Sequence, residues 1–266
     1  LRFRKLFPYA GGQKNLLPIL TELLPHHTTY TEVFGGGCTL LLNKLPSDVE
    51  VYNDLDKRLV NLFLAVKDHP EEFKRQLALL PNSRELFSKF KAGIKTEPDE
   101  IKRAVMWYYL LLNTWSGKSG GGTFVTKTRN TAKIENLEWF SNRMRHVVIE
   151  NLDFEKLIDK YDSPDTLFFL DPPYYEITNL YEYSFEEEDH VRLARALKSI
   201  QGLFLLTYNA HSVIEMLYRW AYAFEHETSM TMSATHTRTR EKHYIIANYD
   251  IIDRHFRPFT AKYFTF

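Results

Sequence analysis

The stretch Ser163-Pro164-Asp165-Thr166-Leu167-Phe168-Phe169-Leu170-Asp171-Pro172-Pro173-Tyr174 decides how this chain is read. Its apolar run at 166–170 shows no polar alternation, the mark of a strand covered on both faces, as in parallel sheets. Residues 171–174 then lie just past the strand's carboxyl end, where open α/β sheets keep their ligand sites. Two prolines fix φ and remove two backbone N–H donors. What remains is acceptor-rich: the Asp171 carboxylate and the Pro172 carbonyl, with the Tyr174 ring beside them. Such a set suits a flat ring bearing an exocyclic amine, whose two N–H groups meet the acceptors while Tyr174 stacks on its face. A rigid turn would use the prolines but needs neither the aspartate nor the tyrosine.

Working outward, comparable runs at 29–33, 49–52, 147–149, 203–207, 224–231 and 243–248 read as further strands. Helical segments fall between them: 15–24, then 57–67 with Asp56 as its N-cap, and 186–200, acidic in its first turn as the helix dipole favours. Alternation of this kind predicts an α/β fold with a mostly parallel, seven-stranded sheet. The last two runs lack a helix between them and form an antiparallel hairpin with its tip at 233–241. Between the second and third strands, residues 68–145 offer helices at 71–80, 84–92, 99–113 and 134–145, around a glycine- and serine-rich basic loop at 116–133. One crossover requires far less chain. The expected organisation is a catalytic domain of 1–67 and 146–266 carrying a mainly helical insertion at 68–145.

Two further turns carry candidate binding residues. Glu32-Val33-Phe34-Gly35-Gly36-Gly37 closes the first strand, and its glycines let a ligand approach the backbone. The short helix after it, about 39–44, is expected to present its N-terminus there. The pattern is not G-x-G-x-x-G, which disfavours a nicotinamide cofactor. Asn53-Asp54 ends the second strand; Asp56 caps the next helix, leaving Asp54 for ribose hydroxyls. Tyr9-Ala10-Gly11-Gly12-Gln13-Lys14 forms another glycine turn before a helix.

Composition narrows the class. The chain has 266 residues, 44% apolar and 15% aromatic, with 34 basic against 34 acidic side chains. That is a globular composition, not a disordered one. One cysteine, Cys38, excludes an internal disulfide and points to a reducing, cytoplasmic setting. The longest apolar run, 105–112, falls well short of the roughly 20 residues that span a bilayer. No zinc-type spacing of Cys and His occurs, so no metal is expected, and His26, His27, His236 and His243 read as surface or loop residues. Zero net charge argues against a uniformly basic surface, but charge is unevenly placed. Residues 116–133 carry Lys118, Lys127, Arg129 and Lys133 without an acid, and the hairpin tip adds Arg238 and Arg240. Such segments suit phosphate contact.

In order, Pro8-Tyr9-x-Gly-Gly, Glu-Val-Phe-Gly-Gly, Tyr52-Asn53-Asp54, Asn151-x-Asp153-Phe154 and Asp-Pro-Pro-Tyr make the chain, over residues 7 to 250, similar to the Dam-like, D12-class alpha group of DNA adenine N6-methyltransferases. The resemblance implies the Rossmann-like fold of S-adenosylmethionine-dependent methyltransferases, with S-adenosylmethionine as cofactor and double-stranded DNA as substrate. It assigns target recognition to the helical insertion. Tyr9, Phe34, Gly35 and Gly36 would line the methionine end of the cofactor, with Gly37 and Lys14 as further contacts. Asp54 would bind the ribose, Asp153 and Phe154 the adenine, and Asp171, Pro172, Pro173 and Tyr174 the target base. Gln13 stands where the family usually has lysine, and Lys14 is the candidate replacement. A base in a duplex cannot reach such a site, so it would be flipped out, with loop 175–185, containing Tyr181 and Tyr183, closing over it. A catalytically impaired DNA-binding homologue, and methylation of cytosine N4, RNA adenine or a protein glutamine, are the alternatives. The resemblance also allows a partner restriction endonuclease, and a prokaryotic or phage setting.

Overall fold

The computed structural model describes residues 3–7, 9, 15–114, 122–125, 137–176, 185–231 and 238–251, with only the backbone of 229–231 and 238–241. In chain order the elements are α1 (Leu17–Leu23), β1 (Thr29–Glu32), α2 (Thr39–Asn43), β2 (Val49–Asn53), α3 (Lys57–Asp68), α4 (Pro70–Ala78), α5 (Arg84–Gly93), α6 (Glu100–Leu112), α7 (Leu137–Met144), β3 (Val147–Glu150), α8 (Phe154–Tyr161), β4 (Thr166–Leu170), α9 (Glu187–Ser199), β5 (Leu203–Asn209), α10 (Ser212–Tyr218), β6 (Tyr222–Thr231) and β7 (Arg238–Ala247).

The strands form one seven-stranded sheet in the order β3-β2-β1-β4-β5-β7-β6. The first five run parallel, and β7 is antiparallel to both β5 and β6. The expected α/β class, parallel sheet and C-terminal hairpin are therefore all present. Every residue of β4 is buried, as its unbroken apolar run requires. Its alternate side chains feed opposite layers. Leu167 and Phe169 join Tyr30, Tyr52, Leu205 and Ile245 on one face, while Phe168 and Leu170 join Val33, Val51, Phe204 and Leu206 on the other.

The first layer is closed by helices from α1 to α7. Residues Ala104 to Leu112 of α6 are all buried, and Trp107 and Tyr108 belong to the same apolar cluster as Tyr30 and Tyr52. The second layer is closed by Leu157 of α8, Leu193 and Leu197 of α9 and Ile214 of α10. Side-chain caps start several of these helices. Asp56 accepts from Arg58 N at 2.9 Å, Ser83 from Leu86 N at 3.2 Å and Asp99 from Lys102 N at 2.8 Å. Helix α9 is entered through Glu186, whose N–H donates to Asp189 at 3.0 Å.

This order places the site. The chain lays β1, β2 and β3 outward in one direction, then returns to lay β4 on the other side of β1. The topological switch lies between β1 and β4, and the crevice past their carboxyl ends is where such sheets bind ligands. Glu32 of β1 pairs with Phe169 of β4, and Val33 N donates to Phe169 O at 3.0 Å. The glycine turn and the Asp-Pro-Pro-Tyr segment therefore leave the sheet side by side.

Candidate active site

The turn after β1 is held from three directions. Gly35 N donates to Asn53 O at 2.7 Å, Gly36 N to Asp54 Oδ2 at 2.7 Å, and the Tyr52 hydroxyl to Gly36 O at 3.1 Å. Gly36 has φ +47°, and a Cβ on Gly35 would lie 2.1 Å from Tyr52 Cε2 and 2.8 Å from Asn53 O. Only glycine fits at 35, and 36 needs the left-handed backbone that glycine adopts without strain. Cys38, wholly buried, is also left-handed at φ 56°. Tyr9 lies against this turn, its ring 2.8 Å from where a Cβ on Gly36 would sit. The structure thus brings together Tyr9, Gly35, Gly36, Gly37 and Asp54.

Two expectations change here. Asp54 is not left over after Asp56 takes the helix cap. Its Oδ2 accepts from Gly36 N and its Oδ1 from Asp56 N, both at 2.7 Å. A ribose hydroxyl would use the second lone pair of either oxygen. Loss of water around it pushes Asp54 up to about 6, although both backbone bonds favour its charged form. Nor does the N-terminus of α2 point only outward: Leu41 N donates to Glu32 Oε2 at 3.0 Å. Glu32, 2% exposed, also accepts from the Tyr30 hydroxyl at 3.3 Å. Burial lifts it to about 8, with the Asp171 carboxylate adding a smaller push.

Asn53 is the joint between β2 and the segment after β3. Its amide donates to Val33 O at 2.9 Å and Leu152 O at 3.1 Å, while its Oδ1 accepts from Leu152 N at 2.8 Å. Asn151 ties the same segment to Asp54 O at 2.7 Å. Asp153 then caps α8, accepting from Glu155 N at 3.0 Å. The Phe154 ring is buried, with Phe34 at 5.8 Å and Phe185 at 5.7 Å between ring centroids.

Beyond β4, Asp171 is oriented by the neighbouring strand. The hydroxyl of Thr207, wholly buried in β5, donates to Asp171 Oδ1 at 2.7 Å. Asn209, at the end of β5, clasps the backbone of Tyr175 with two bonds, accepting from its N at 3.0 Å and donating to its O at 3.2 Å. The Tyr174 hydroxyl meets His243 Nδ1 at 3.1 Å, and His243 Nε2 meets Thr228 Oγ1 at 3.0 Å. His243 is therefore no surface residue: it is 6% exposed, and burial lowers its pKa. Thr207, Asn209 and His243 were missed because their partners come from sheet order, which no local pattern reveals. The only sequence trace was the Thr-Tyr-Asn ending of a strand.

The arrangement suits a cationic sulfonium cofactor. Asp54 and Asp171 follow the carboxyl ends of β2 and β4 at one edge of the sheet, with the buried Glu32 ending β1 between those strands. Asp153, in the segment that Asn151 and Leu152 tie to Asn53 and Asp54, keeps 35% of its side chain exposed. A carboxylate-rich crevice over a glycine turn favours a positive charge and hydroxyl or amine donors. Lys14, Lys118, Lys127, Arg129, Lys133, Gly11, Gly12, Gln13, Tyr181 and Tyr183 lie outside the described residues, as do the side chains of Arg238 and Arg240. Among the described residues no group of acids, histidines and cysteine has metal-binding geometry, and no helix is long and apolar enough to cross a membrane.

The chain is similar in sequence to known proteins. The type II methyltransferase M1.LlaDCHI of Lactococcus lactis subsp. cremoris is 26% identical over 276 residues, covering 94% of this chain and 96% of that one. The type II methyltransferase M.CviBI of Paramecium bursaria Chlorella virus NC1A is 26% identical over 273 residues, covering 92% and 100%. Modification methylase LlaI of Lactococcus lactis subsp. lactis is 23% identical over 184 residues, covering 62% of this chain and 29% of that one. A family model matches residues 9–232, a span that holds the glycine turn, Asn53-Asp54, Asp153-Phe154 and Asp-Pro-Pro-Tyr, so the chain belongs to the D12 class N6 adenine-specific DNA methyltransferases.

Proposed function

We propose that this enzyme places a methyl group on N6 of an adenine flipped out of double-stranded DNA, with Asp171, Pro172, Pro173 and Tyr174 receiving the base. The observation that carries the reading is the Asp171 carboxylate, fixed by Thr207 at 2.7 Å next to a proline carbonyl that has no N–H to compete with it. The amine of adenine is a poor nucleophile because its lone pair is delocalised into the ring. Two bonds, to Asp171 and to Pro172 O, draw that lone pair onto nitrogen and aim it. The carboxylate then stabilises the positive charge growing on nitrogen, and the proton leaves afterwards to solvent. Tyr174 stacking contributes roughly 1–3 kcal/mol toward the few kcal/mol that extrusion costs.

S-adenosylmethionine, when bound, supplies an electrophilic methyl group. Tyr9, Phe34, Gly35, Gly36 and Gly37 would hold its methionine end, Asp54 its ribose, and Asp153 and Phe154 its adenine. Lys14 is proposed as a further contact. Residues 68–145 are proposed to recognise the DNA target, with Lys118, Lys127, Arg129 and Lys133 on phosphates. The hairpin supports a second contact. Strand β7 pairs with β5 up to His243, yet β6–β7 pairing continues to Arg238, about 16 Å further at strand rise. The paired strands therefore run past the end of β5, and Arg238 and Arg240 on β7 are proposed to meet DNA.

The test is incubation of purified protein with labelled S-adenosylmethionine and mixed-sequence DNA, followed by nucleoside mass spectrometry. N6-methyladenine is expected; N4-methylcytosine, or no methylated nucleoside, overturns the reading. Asp171→Ala should lose transfer while melting like the parent protein.

A further inference from the structure

Arg192 stands on α9, outside every motif considered so far, yet its guanidinium is committed to the start of α8. Its Nη2 lies 3.2 Å from Asp153 Oδ1 and 3.4 Å from Oδ2. Nε and Nη2 reach Glu155 Oε2 at 3.1 and 2.6 Å, and Nη1 reaches Asp189 Oδ1 at 2.6 Å. Its Cζ also sits over the Phe154 ring, 4.8 Å from the centroid. Phe154 is thus enclosed by Phe34, Phe185 and Arg192, while Asp153 remains 35% exposed.

We infer that Arg192 is a positioning residue for the cofactor's adenine, setting the Asp153 carboxylate that would accept the adenine amine. The inference rests on the assignment of Asp153 made above. Exposed ion pairs contribute little to stability, so a fork spread over three carboxylates and a ring gains its value from geometry. The planar guanidinium fixes angles as well as distances, which an ammonium does not. Asp153 already spends Oδ1 on the α8 cap. Arg192 holds the group from behind and counters the charge of Glu155 and Asp189, so the carboxylate meets an amine at a set angle. Phe185 and Arg192 both follow the Asp-Pro-Pro-Tyr segment in sequence. The stretch of chain after the base site thereby supplies the backing of the cofactor site.

Calorimetry with S-adenosylhomocysteine tests this, together with melting temperature and steady-state kinetics. Arg192→Gln should weaken binding roughly tenfold, as expected for loss of a charge-assisted contact. Its melting temperature should stay within about 2 °C of the parent's. The kinetic loss should fall on KM for S-adenosylmethionine more than on kcat. Arg192→Lys should bind with intermediate affinity, and it carries the comparison if Arg192→Gln melts much lower. Asp153→Asn should weaken binding similarly, and the double variant Arg192→Gln with Asp153→Asn no further. Unchanged binding in Arg192→Gln, or losses that multiply in the double variant, overturn the inference alone. Parent protein that binds no S-adenosylhomocysteine overturns the assignment beneath it as well.

Discussion

Replacing Thr207 with valine removes its hydroxyl while keeping the shape of the side chain. The side chain is wholly buried, so the isosteric methyl fills the same space. The hydroxyl donates to Asp171 Oδ1 at 2.7 Å and has a long 3.4 Å contact to Leu170 O. A hydrogen bond to a charged group contributes about 1.5–3 kcal/mol. If that energy holds the carboxylate at the angle that receives N6, losing it raises the barrier equally, slowing transfer by roughly 10- to 150-fold. Substrate affinity should change less, because the proposed stacking on Tyr174 and the proposed bond to Pro172 O are left in place. Single-turnover methylation of DNA, with the melting temperature recorded alongside, separates these effects. Thr207→Ser restores the donor and should recover most of the rate. A Thr207→Val enzyme that melts normally and transfers within about twofold of the parent rate refutes the reasoning. Asp171 would then be oriented by contacts other than the Thr207 hydroxyl.

Glu32 makes stability depend on pH. Its folded value of about 8 exceeds the ordinary 4.5, so between those values the folded chain keeps a proton that the unfolded chain has released. Stability should fall by about 1.4 kcal/mol per pH unit as pH rises through that window. Glu32→Gln should flatten the slope, and a difference in melting temperature that does not change with pH contradicts this. Asp54, raised to about 6, should lose its charge as pH falls through that value, weakening S-adenosylhomocysteine binding in the parent protein but not in Asp54→Asn. Calorimetry on either side of that pH checks it. Gly35→Ala places a Cβ 2.1 Å from Tyr52 Cε2 and should cost about 1–3 kcal/mol of stability, together with cofactor affinity. Wild-type melting and binding in that variant would show a turn more pliant than its contacts imply.

Much of the scaffold was legible because it is written locally. Strand β4 spans the same Thr166–Leu170 read from its unbroken apolar run, since burial on both faces leaves no polar position to blur its ends. Capping at Asp56 was equally local, a carboxylate two residues before the amide it accepts. The supports of the site were not local. His243 looks like any strand-edge histidine until sheet order sets β7 beside β5 and brings it to Tyr174. Arg192 looks like a helix-surface cation, and its link to Asp153 spans two elements and a buried ring. Asp54 was placed correctly at its strand end, but its two backbone partners depend on the fold of the glycine turn. Local periodicity encodes which face is buried, whereas these contacts depend on which strand lies next to which.

Balanced charge and a DNA substrate are reconciled by where the acids lie. The crevice at the β1–β4 switch carries Asp54 and Asp171 just past the carboxyl ends of β2 and β4, while the buried Glu32 beside them keeps its proton below about pH 8. A phosphate backbone is repelled from such a crevice, while a neutral base and a cationic cofactor are not. On the proposed reading, entry is thereby restricted to an extruded base, with phosphates kept at the rim. Basic side chains are then needed only outside the crevice, and the sequence concentrates them at 116–133 and at the hairpin tip, segments separate in sequence from the acidic run 186–189. Salt should consequently weaken DNA binding through the few phosphates met at the rim, giving a shallow dependence of affinity on salt. Charge reversal at Lys127 and Arg129 should lower that slope further while leaving S-adenosylhomocysteine binding unchanged. An unaltered slope would place the phosphate contacts elsewhere and remove the reason for the net charge to be zero.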